Sequence, residues 1–409
     1  GTETQINAAL ATISYQGDLN FNGGDTFTIL STDSDGVPLS DTDTVAITVS
    51  PVNDAPTSTN DSITINEDTA TVLTLSDFGT YFDVEGTPIA SVQITTLETD
   101  GSLEYFNGSS WVPVTVNQVI TAADITSGNL RFTPDANETG TPYATIDFKV
   151  SDGTDFSDNA YTLTVNVTPV NDAPVNTVPG AQTVNEDTAL NITGVSVTDV
   201  DGNLATSQIS VGDGTLTVSL TGGATISAGA NGSSTMTLSG TETQINAALA
   251  TISYQGDLNF NGSDTFTILS TDSDGVPLSD TDTVAITVSP VNDAPVNTVP
   301  GAQTVNEDTA LNITGVSVTD VDGNLATSQI SVGDGTLTVS LAGGATITAG
   351  ANGSGTMTLS GTETQINAAL ATISYQGDSN FNGSDTFTIL STDSDGVPLS
   401  DTDTVAITV

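Results

Sequence analysis

Short runs in which apolar and polar residues alternate recur along the whole chain. An alternation with a period of two places one face of a β-strand on a core and the other face in water. Gly222-Gly223 and Asn231-Gly232 separate such runs and are typical of hairpin turns. Strands are predicted at residues 215–220, 235–238, 265–269 and 284–288. Short strands with regular turn signals predict an all-β sandwich of about seven strands per repeat.

One stretch of each repeat has the helical period instead. Thr241-Glu242-Thr243-Gln244 resembles a capping box, in which the side chains of the first and fourth residues satisfy the free amides of a helix start. Ile245, Leu249 and Ile252 then fall on one helical face. These positions predict one short helix per repeat, crossing one end of the sandwich.

Near-identical tandem copies organise the chain. The segment GTETQINAALATISYQGD begins at residues 1, 240 and 361. Residues 175–288 and 296–409 differ from each other at four positions only. A repeat of this length is the signature of a modular array rather than of one large domain.

The motif Pro-Val-Asn-Asp-Ala-Pro marks the predicted boundaries, because proline at both ends stops a strand and stiffens a short connection. It occurs at 51–56, 169–174 and 290–295. We expect β-sandwiches arranged end to end: the C-terminal half of a repeat (1–50), a divergent domain (51–168) and two full repeats (169–289 and 290–409). The half-repeat should fold poorly alone unless domain swapping or another chain completes it.

The charge balance is extreme. The chain has 50 acidic and two basic residues, Arg131 and Lys149, for a net charge of −48. Such a charge repels nucleic acid and anionic membranes and favours divalent cations as partners. It is also typical of disordered chains, but the hydrophobic content of 36%, arranged in alternating runs, favours a fold. No apolar run long enough for a membrane span and no signal peptide is visible.

The absence of histidine and cysteine removes the commonest general base, the commonest transition-metal ligand and all thiol chemistry. Oxygen ligands remain, and these suit calcium. A carboxylate pair could also hydrolyse a substrate, but the same acids recur in every copy, which favours ligation over a unique active site. We therefore expect a protein that is not an enzyme.

Five acidic elements recur in the same order in the repeats. A glycine after an acidic pair permits a sharp turn that brings neighbouring oxygens together. A single Asp-x-Asp-Gly is better explained by a solvated turn, whereas five elements in register beside a rigid linker favour calcium binding. The elements are Asn-Glu-Asp (66–68, 185–187, 306–308), a first Asp-x-Asp-Gly (199–202, 320–323, with 83–86 in the divergent domain), the glutamate of the helix start (Glu3, Glu242, Glu363, with Asp124), a second Asp-x-Asp-Gly (33–36, 272–275, 393–396, with 151–153), and the linker Asn-Asp.

These motifs resemble cadherin repeats. Residues 272–279, the strand at 284–288 and Val291-Asn292-Asp293-Ala294-Pro295 are similar to the final loop, last strand and calcium linker of that family. The divergent domain, with residues 121–125 and 131–134, also resembles proteoglycan-type cadherin-like repeats. Near-identical, acidic, cysteine-free copies are typical of giant bacterial adhesins exported by type I secretion (RTX-type). The resemblance implies calcium as the cofactor.

The resemblance further implies that ligands at each linker come from the upstream repeat, from the linker and from the downstream loops. For the linker near 170 they are Glu67, Asp124, Asn171, Asp172, Asp199, Asp201 and Asp272. For the linker near 292 they are Glu186, Glu242, Asn292, Asp293, Asp320, Asp322 and Asp393. For the first linker they are Asn53, Asp54, Asp83, Glu85 and Asp152, together with Glu3.

The resulting hypothesis is a secreted, calcium-rigidified spacer of a bacterial cell-surface adhesin, monomeric in this segment, that holds an adhesive tip away from the cell. The alternative is that the divergent domain itself binds a glycan or protein ligand. It contains the single tryptophan, Trp111, and an aromatic group made up of Tyr81, Phe82, Tyr105 and Phe106. Aromatic rings can stack on sugars, although in a sandwich they more often belong to the core.

Overall fold

A computed structural model describes residues 1–409. The chain forms two compact units, Gly1–Asn171 and Asp172–Val409. Both are dominated by β-strands, and each sheet lies within one of the segments that the proline-flanked motifs delimit. No helix has the length and hydrophobicity that a membrane crossing needs.

Residues 1–50 form a helix and one antiparallel hairpin. The helix is α1 (Glu3–Leu10), and the strands are β1 (Gly23–Thr32) and β2 (Ser40–Val49). Each of the two strands pairs only with the other. No residue of this segment is buried.

The divergent domain consists of two sheets packed over one core. Its elements are β3 (Asp61–Asn66), β4 (Thr71–Val72), a 3₁₀ turn (Leu75–Phe78), β5 (Ser91–Thr96), β6 (Ser102–Phe106), β7 (Trp111–Pro113), β8 (Val119–Thr121), α2 (Ala122–Thr126), β9 (Leu130–Thr133), β10 (Gly140–Ser151) and β11 (Tyr161–Thr168). The five-stranded sheet has the order β3-β11-β10-β5-β8, and the four-stranded sheet has the order β4-β9-β6-β7. Phe78 and Phe148 meet edge to face in the core, with ring centroids 5.0 Å apart.

The first full repeat has eleven strands in three sheets and one helix. Its elements are β12 (Val175–Thr177), β13 (Gln182–Asn185), β14 (Leu190–Asn191), β15 (Ser196–Thr198), β16 (Leu204–Ser210), β17 (Gly214–Thr217), β18 (Thr225–Gly229), β19 (Thr235–Ser239), α3 (Glu242–Leu249), β20 (Ser253–Gly256), β21 (Gly262–Asp272) and β22 (Ser279–Ser289). The sheet orders are β12-β15, β13-β22-β21-β16-β19-β18 and β14-β20-β17.

The second full repeat has the same three sheets. Its elements are β23 (Val296–Thr298), β24 (Gln303–Thr304), β25 (Leu311–Asn312), β26 (Ser317–Thr319), β27 (Leu325–Ser331), β28 (Gly335–Thr338), β29 (Thr346–Gly350), β30 (Thr356–Ser360), α4 (Glu363–Leu370), β31 (Ser374–Gly377), β32 (Ser384–Asp393) and β33 (Ser400–Thr408). The sheet orders are β23-β26, β24-β33-β32-β27-β30-β29 and β25-β31-β28.

Alternation along the long strands explains why these sequences form sandwiches. In β21, Phe266 and Ile268 are buried while Thr265 is exposed, and β22 alternates in the same way. The inward-facing side chains join Leu238 and Tyr254 in one core per repeat. Burial of this apolar area is the main favourable contribution to folding.

The all-β class and the short helix are confirmed. α3 begins with the expected capping box, in which the Gln244 amide donates to Thr241 Oγ1 at 3.3 Å and the Thr241 amide donates to Gln244 Oε1 at 2.9 Å. Ile245, Leu249 and Ile252 are all buried. The Asn231-Gly232 turn joins β18 and β19 as a hairpin.

The prediction of a hairpin at Gly222-Gly223 was wrong, because β17 and β18 belong to different sheets. The strand predicted at 215–220 ends at Thr217, because the next backbone amides donate to side chains and not to a neighbouring strand. The Val218 amide donates to Asn231 Oδ1 and the Ser219 amide to Thr251 Oγ1. The estimate of about seven strands was too low because several strands have only two or three residues.

Ile245 and its sequence counterpart Ile6 provide a matched pair for testing the core. Ile245→Ala removes fully buried apolar volume and should lower the free energy of unfolding of the first full repeat by about 2–5 kcal/mol. Ile6→Ala, at a half-exposed site, should cost less than about 1 kcal/mol. Differential scanning calorimetry of the two variants tests this, and equal shifts of the transitions would contradict the assignment of the core.

Candidate metal centres at the linkers

The linker at 290–295 is tied to the repeat on either side. On the upstream side, the Val291 amide donates to the carboxylate of Glu186, and the Glu186 amide donates to Ser289 O at 2.9 Å. On the downstream side, Asn292 Nδ2 donates to Asp393 Oδ2 at 2.8 Å. These bonds, together with the two prolines, leave the linker little conformational freedom.

Three carboxylates converge beside this linker. Oxygen atoms of Glu186, Asp293 and Asp322 all lie within 4.8 Å of one another. The Asp293 amide donates to Asp322 Oδ2 at 2.7 Å, which fixes two of the three groups relative to each other. Asp293 Oδ2 is buried and has no hydrogen-bond partner. Burial and the charges of Asp322, Asp187 and Glu186 raise the pKa of Asp293.

Further oxygen-bearing side chains flank the cluster. Asn292 Nδ2 donates to Asp393 Oδ2 at 2.8 Å, and Asn324 Nδ2 donates to Asn292 Oδ1 at 2.8 Å. Burial raises the pKa of Asp320, and the charges of Asp322 and Asp393 act in the same direction. Burial also acts to raise the pKa of Asp393, but hydrogen bonds led by the one from Asn292 outweigh it and lower that pKa.

The two Asp-x-Asp-Gly loops of the second full repeat form their turns in different ways. In the first, the Gly323 amide donates to Asp320 O at 3.1 Å and Gly323 has a φ of +68°, as expected for a glycine turn. In the second, Gly396 does not have a positive φ. The prediction that a glycine conformation makes this turn possible was therefore wrong for this loop. Asp393 organises that loop instead by accepting bonds from the amides of Asp395 and Leu399.

No positive side chain balances these charges. Both basic residues of the chain, Arg131 and Lys149, lie in the unit Gly1–Asn171. The unit Asp172–Val409 therefore contains neither lysine nor arginine. Yet its carboxylates Glu186, Asp320 and Asp393 are all buried. Burying an ionised carboxylate without a counter-charge is costly, and in this unit the compensation comes from hydrogen bonds, as at Asp393, rather than from basic side chains.

The linker at 51–56 repeats the pattern within the other unit. Asn53 Nδ2 donates to Asp152 Oδ2 at 2.8 Å and to Asp155 Oδ2 at 3.0 Å. The Asp54 amide donates to Glu85 Oε2 at 3.3 Å. Asp155 is absent from the predicted set, although the spacing of Asp152-Gly-Thr-Asp could have indicated it.

Asp83 is the buried member of that acidic group. Its Oδ1 accepts from the Thr87 amide, whereas its Oδ2 is buried without a hydrogen-bond partner. Burial acts to raise the pKa of Asp152, but amide bonds from Asp155 and Thr154 outweigh it and lower that pKa. The first linker therefore also combines buried carboxylates with an unsatisfied oxygen.

The residues predicted for the linker at 169–174 are divided between the two units. In the first unit, which ends at Asn171, the Val170 amide donates to Glu67 Oε1 at 2.8 Å. In the second, the Asp172 amide donates to Asp201 Oδ2 at 2.7 Å, and Asp199 and Asp272 are buried. Both parts repeat bonds of the linker at 290–295.

The structure contradicts the assignment of Glu242 to the linker near 292. Glu242 Oε2 accepts from the Asp199 amide at 3.0 Å, so the helix glutamate serves the acidic loop of its own repeat. The physical reason is that Asn246 binds both the amide and the carbonyl of Val197, which holds α3 against β15. In the second full repeat, likewise, the helix glutamate Glu363 accepts through Oε2 from the Asp320 amide at 3.1 Å.

Asp124 is engaged within its own helix. Its carboxylate accepts from Thr121 Oγ1 at 2.7 Å and from Asn129 Nδ2 at 3.4 Å. The bond from Thr121 lowers the pKa of Asp124 and is the largest cause of that shift. Thr121 caps α2 and holds the Asp124 carboxylate in the same turn, which gives no support to the predicted role of Asp124 near residue 170.

The aromatic residues of the divergent domain do not form a single platform. The Arg131 guanidinium lies 4.2 Å from the centroid of Trp111, and Arg131 Nε donates to Glu104 Oε2 at 2.7 Å. The Phe106 ring packs against Trp111, with centroids 5.5 Å apart. Tyr81 and Tyr105 pack against the core, whereas Phe82 is exposed and bonds to Thr57. One face of Trp111 is thus occupied by the protein itself.

Two family models match parts of the chain. The Bacterial Ig domain model matches residues 53–168. The model described as Protein GAMETE EXPRESSED 2 domain matches residues 180–281 and 301–401. No curated protein matches the chain.

Several solved structures of cadherin domains are similar to this chain. Protocadherin Gamma B2 domains 1–5 are 16% identical, with a TM-score of 0.43, over 95% of this chain and 66% of that one. Human CDH23 EC21–23 is 17% identical, with a TM-score of 0.38, over 87% of this chain and 100% of that one. Mouse Cadherin-23 EC22–24 is 17% identical, with a TM-score of 0.35, over 88% of this chain and 99% of that one.

The assignment of the fold rests on the sheets described above and on the Bacterial Ig domain match. The chain is a tandem series of all-β sandwich repeats, and residues 53–168 match the Bacterial Ig domain family.

The two basic residues allow a test of the Trp111 contact. Arg131→Ala removes a cation–π contact and a partly buried ion pair, and should lower the stability of the divergent domain by about 1–2 kcal/mol. Lys149→Ala removes the same charge from a side chain that bonds only a carbonyl, that of Asp158, and should have little effect. Thermal unfolding followed by Trp111 fluorescence measures both variants, and equal effects would contradict a stabilising role for the Arg131 contact.

Proposed function

We propose that this chain is a calcium-rigidified spacer of an extracellular bacterial adhesin. The observation that carries the proposal is the convergence of Glu186, Asp293 and Asp322 within 4.8 Å, with one Asp293 oxygen unsatisfied. This cluster lies beside a proline-flanked linker, in a unit that has no basic side chain.

The donor set fits calcium. Calcium takes six to eight oxygen ligands from carboxylates, amides and backbone carbonyls. The chain offers oxygens only, since it contains neither histidine nor cysteine. At the linker 290–295 the residues that would hold the ion are Glu186, Asp293 and Asp322, with Asp320, Asp393, Asn292 and Glu363 around them.

The linker at 51–56 offers a second such set. Asp83 contributes a buried, unsatisfied oxygen, and the carboxylates of Asp152 and Asp155 converge on Asn53. Asp54 and Glu85 complete the set through their amide–carboxylate bond. Within the unit Asp172–Val409, the residues that would hold an ion at the start of the first full repeat are Asp172, Asp199, Asp201 and Asp272, with Glu242 beside Asp199.

The carboxylates at a linker have two tasks. Glu186 holds the Val291 amide and Asp322 holds the Asp293 amide, so the linker backbone is anchored through the side chains of both neighbouring repeats. Their mutual repulsion acts against this anchoring. A bound calcium ion supplies the missing positive charge, and extracellular modules bind it at about 10⁻⁴–10⁻³ M. The linkers would therefore stiffen after export.

Several observations support a mechanical role outside the cell. Residues 175–288 and 296–409 are almost the same sequence, which suits an array that gains length by copying and has no need of a unique active site. The match to a Bacterial Ig domain family supports a bacterial source for the divergent domain. The proposal includes no enzymatic activity, and its partners are calcium and the neighbouring repeats.

Removing two charges at one linker tests the calcium sites. The double variant Asp293→Asn, Asp322→Asn should weaken calcium binding at the linker 290–295 by about tenfold or more, because the ligand charge falls by two. Isothermal titration calorimetry would show the loss of the ions bound there while the other linkers still bind.

The control variant is Asp282→Asn. Asp282 lies on β22 opposite Ile268, away from the linker. Its substitution should leave the calorimetric titration unchanged. Calcium binding by the double variant equal to that of the unaltered chain would contradict the proposed site.

A further inference from the structure

Glu186 is the buried member of the three-carboxylate cluster. It is only 3% exposed, whereas Asp293 is partly buried and Asp322 is exposed. Its orientation therefore depends on the protein groups that contact it. Oε1 accepts from the Val291 amide, and Oε2 accepts from Asn261 Nδ2 at 3.2 Å. Each oxygen of this carboxylate is thus bound by one N–H group, one from the linker and one from its own repeat.

Asn261 belongs to a short loop, Asn259-Phe260-Asn261, that lies between β20 and β21. The Asn259 amide donates to Asp187 Oδ1 at 3.0 Å, which ties the loop to the Asn-Glu-Asp element of the same repeat. The ring of Phe260 packs against the core. The loop is therefore held at two points, and Asn261 presents its side-chain amide to Glu186 from a fixed position.

The bond between this loop and the Asn-Glu-Asp element recurs in the divergent domain and in both full repeats. Asp187 and Asn259 both have a φ of +56°, a left-handed conformation that aspartate and asparagine adopt more readily than most other residues. The corresponding bonds join Asn137 N to Asp68 Oδ1 at 2.9 Å and Asn380 N to Asp308 Oδ1 at 3.1 Å. Each of these domains thus places the loop beside its Asn-Glu-Asp element.

The side-chain amide of Asn261 is not needed for that backbone bond. In the divergent domain, Thr139 stands two residues after Asn137, as Asn261 does after Asn259, and the loop still binds its aspartate. Asn261 is itself exposed, yet its amide donates to a buried carboxylate. Hydrogen bonds to ionised groups are among the stronger ones in proteins, and a group that binds a metal ligand in this way fixes its orientation.

We propose that Asn261 is a positioning residue for the calcium site at the linker 290–295, a role that rests on the proposed function. Its amide fixes the Glu186 carboxylate through Oε2, so that Oε1 stays on the Val291 amide and the group stays beside the other two carboxylates of the cluster. A carboxylate oxygen has about two lone-pair sites, so the bond from Asn261 leaves Oε2 able to bind a cation.

The first measurement is made in chelator on the whole chain. Asn261→Ala frees Glu186 Oε2, so hydrogen exchange of the Val291 amide should accelerate by about three- to tenfold, as the loss of one hydrogen bond implies. The Val170 amide, which Glu67 binds in the divergent domain, is the internal reference and should keep its exchange rate. The thermal transition should not change, because Asn261 is exposed. A general loss of packing would instead lower that transition and accelerate exchange throughout the repeat.

The second measurement is a calorimetric titration with calcium. Asn261→Ala should weaken binding at the linker 290–295 by about tenfold or more, as the loss of a group that orients a metal ligand typically does. Asn261→Gln keeps a side-chain amide and should recover part of the affinity. The matched control is Asn382→Ala, which removes the same group at the same position of the second full repeat. It should leave both the titration and the exchange of Val291 unchanged.

Two results would overturn the proposal and leave the calcium site in place. The first is an unchanged exchange rate of Val291 in Asn261→Ala. The second is accelerated exchange with undiminished calcium affinity, which would make the Asn261 bond a structural contact only. Failure of the proposed function gives a different result, in which the unaltered chain binds no calcium that the double variant Asp293→Asn, Asp322→Asn removes. That result would overturn both proposals.

Discussion

Buried carboxylate groups beside short, proline-flanked linkers are the constraint on which the organisation of this chain depends. Glu186 and Asp322 each bind a linker amide, so the charged groups are also what attach the linker to its neighbours. Attachment and repulsion therefore act on the same side chains. The chain has only two basic residues, Arg131 and Lys149, so basic side chains cannot offset the repulsion between these carboxylates. The proposed dependence on external cations rests on this composition and this geometry together.

The folding of each repeat rests on a different interaction. The apolar side chains of two sheets and one helix bury one another within a single repeat, as Phe266, Tyr254 and Ile245 do. Residues 240–289 bury Ile245 and Tyr254 together with strands β13, β14, β16 and β17 from the first half of the repeat. Calcium dependence should thus concern the linkers more than the interior of the sandwiches.

Much of this arrangement could be predicted from the sequence. The capping box of α3 and the alternation in β21 and β22 are local patterns, and a local pattern predicts the local helix or strand directly. The recurrence of Asp-x-Asp-Gly beside each linker indicated oxygens that the structure brings together at Asp293 and Asp322.

The rest depended on tertiary contacts that no local pattern encodes. Glu242 was assigned to the wrong end of its repeat because the bonds from Asn246 to Val197, which orient α3, join residues far apart in sequence. The Gly222-Gly223 turn connects two different sheets, a distinction that a turn signal cannot make. The spacing of Asp155 from Asp152 could have indicated a ligand, but the approach of Asn53 to that loop joins residues far apart in sequence.

Small-angle X-ray scattering of the whole chain, in calcium and in chelator, tests the central claim most directly. We expect a stiff particle with a well-defined maximum dimension in calcium, and a scattering profile typical of flexibly linked domains in chelator. Superimposable profiles under the two conditions would contradict the account, because the acidic groups at the linkers would then be solvated turns with no mechanical role.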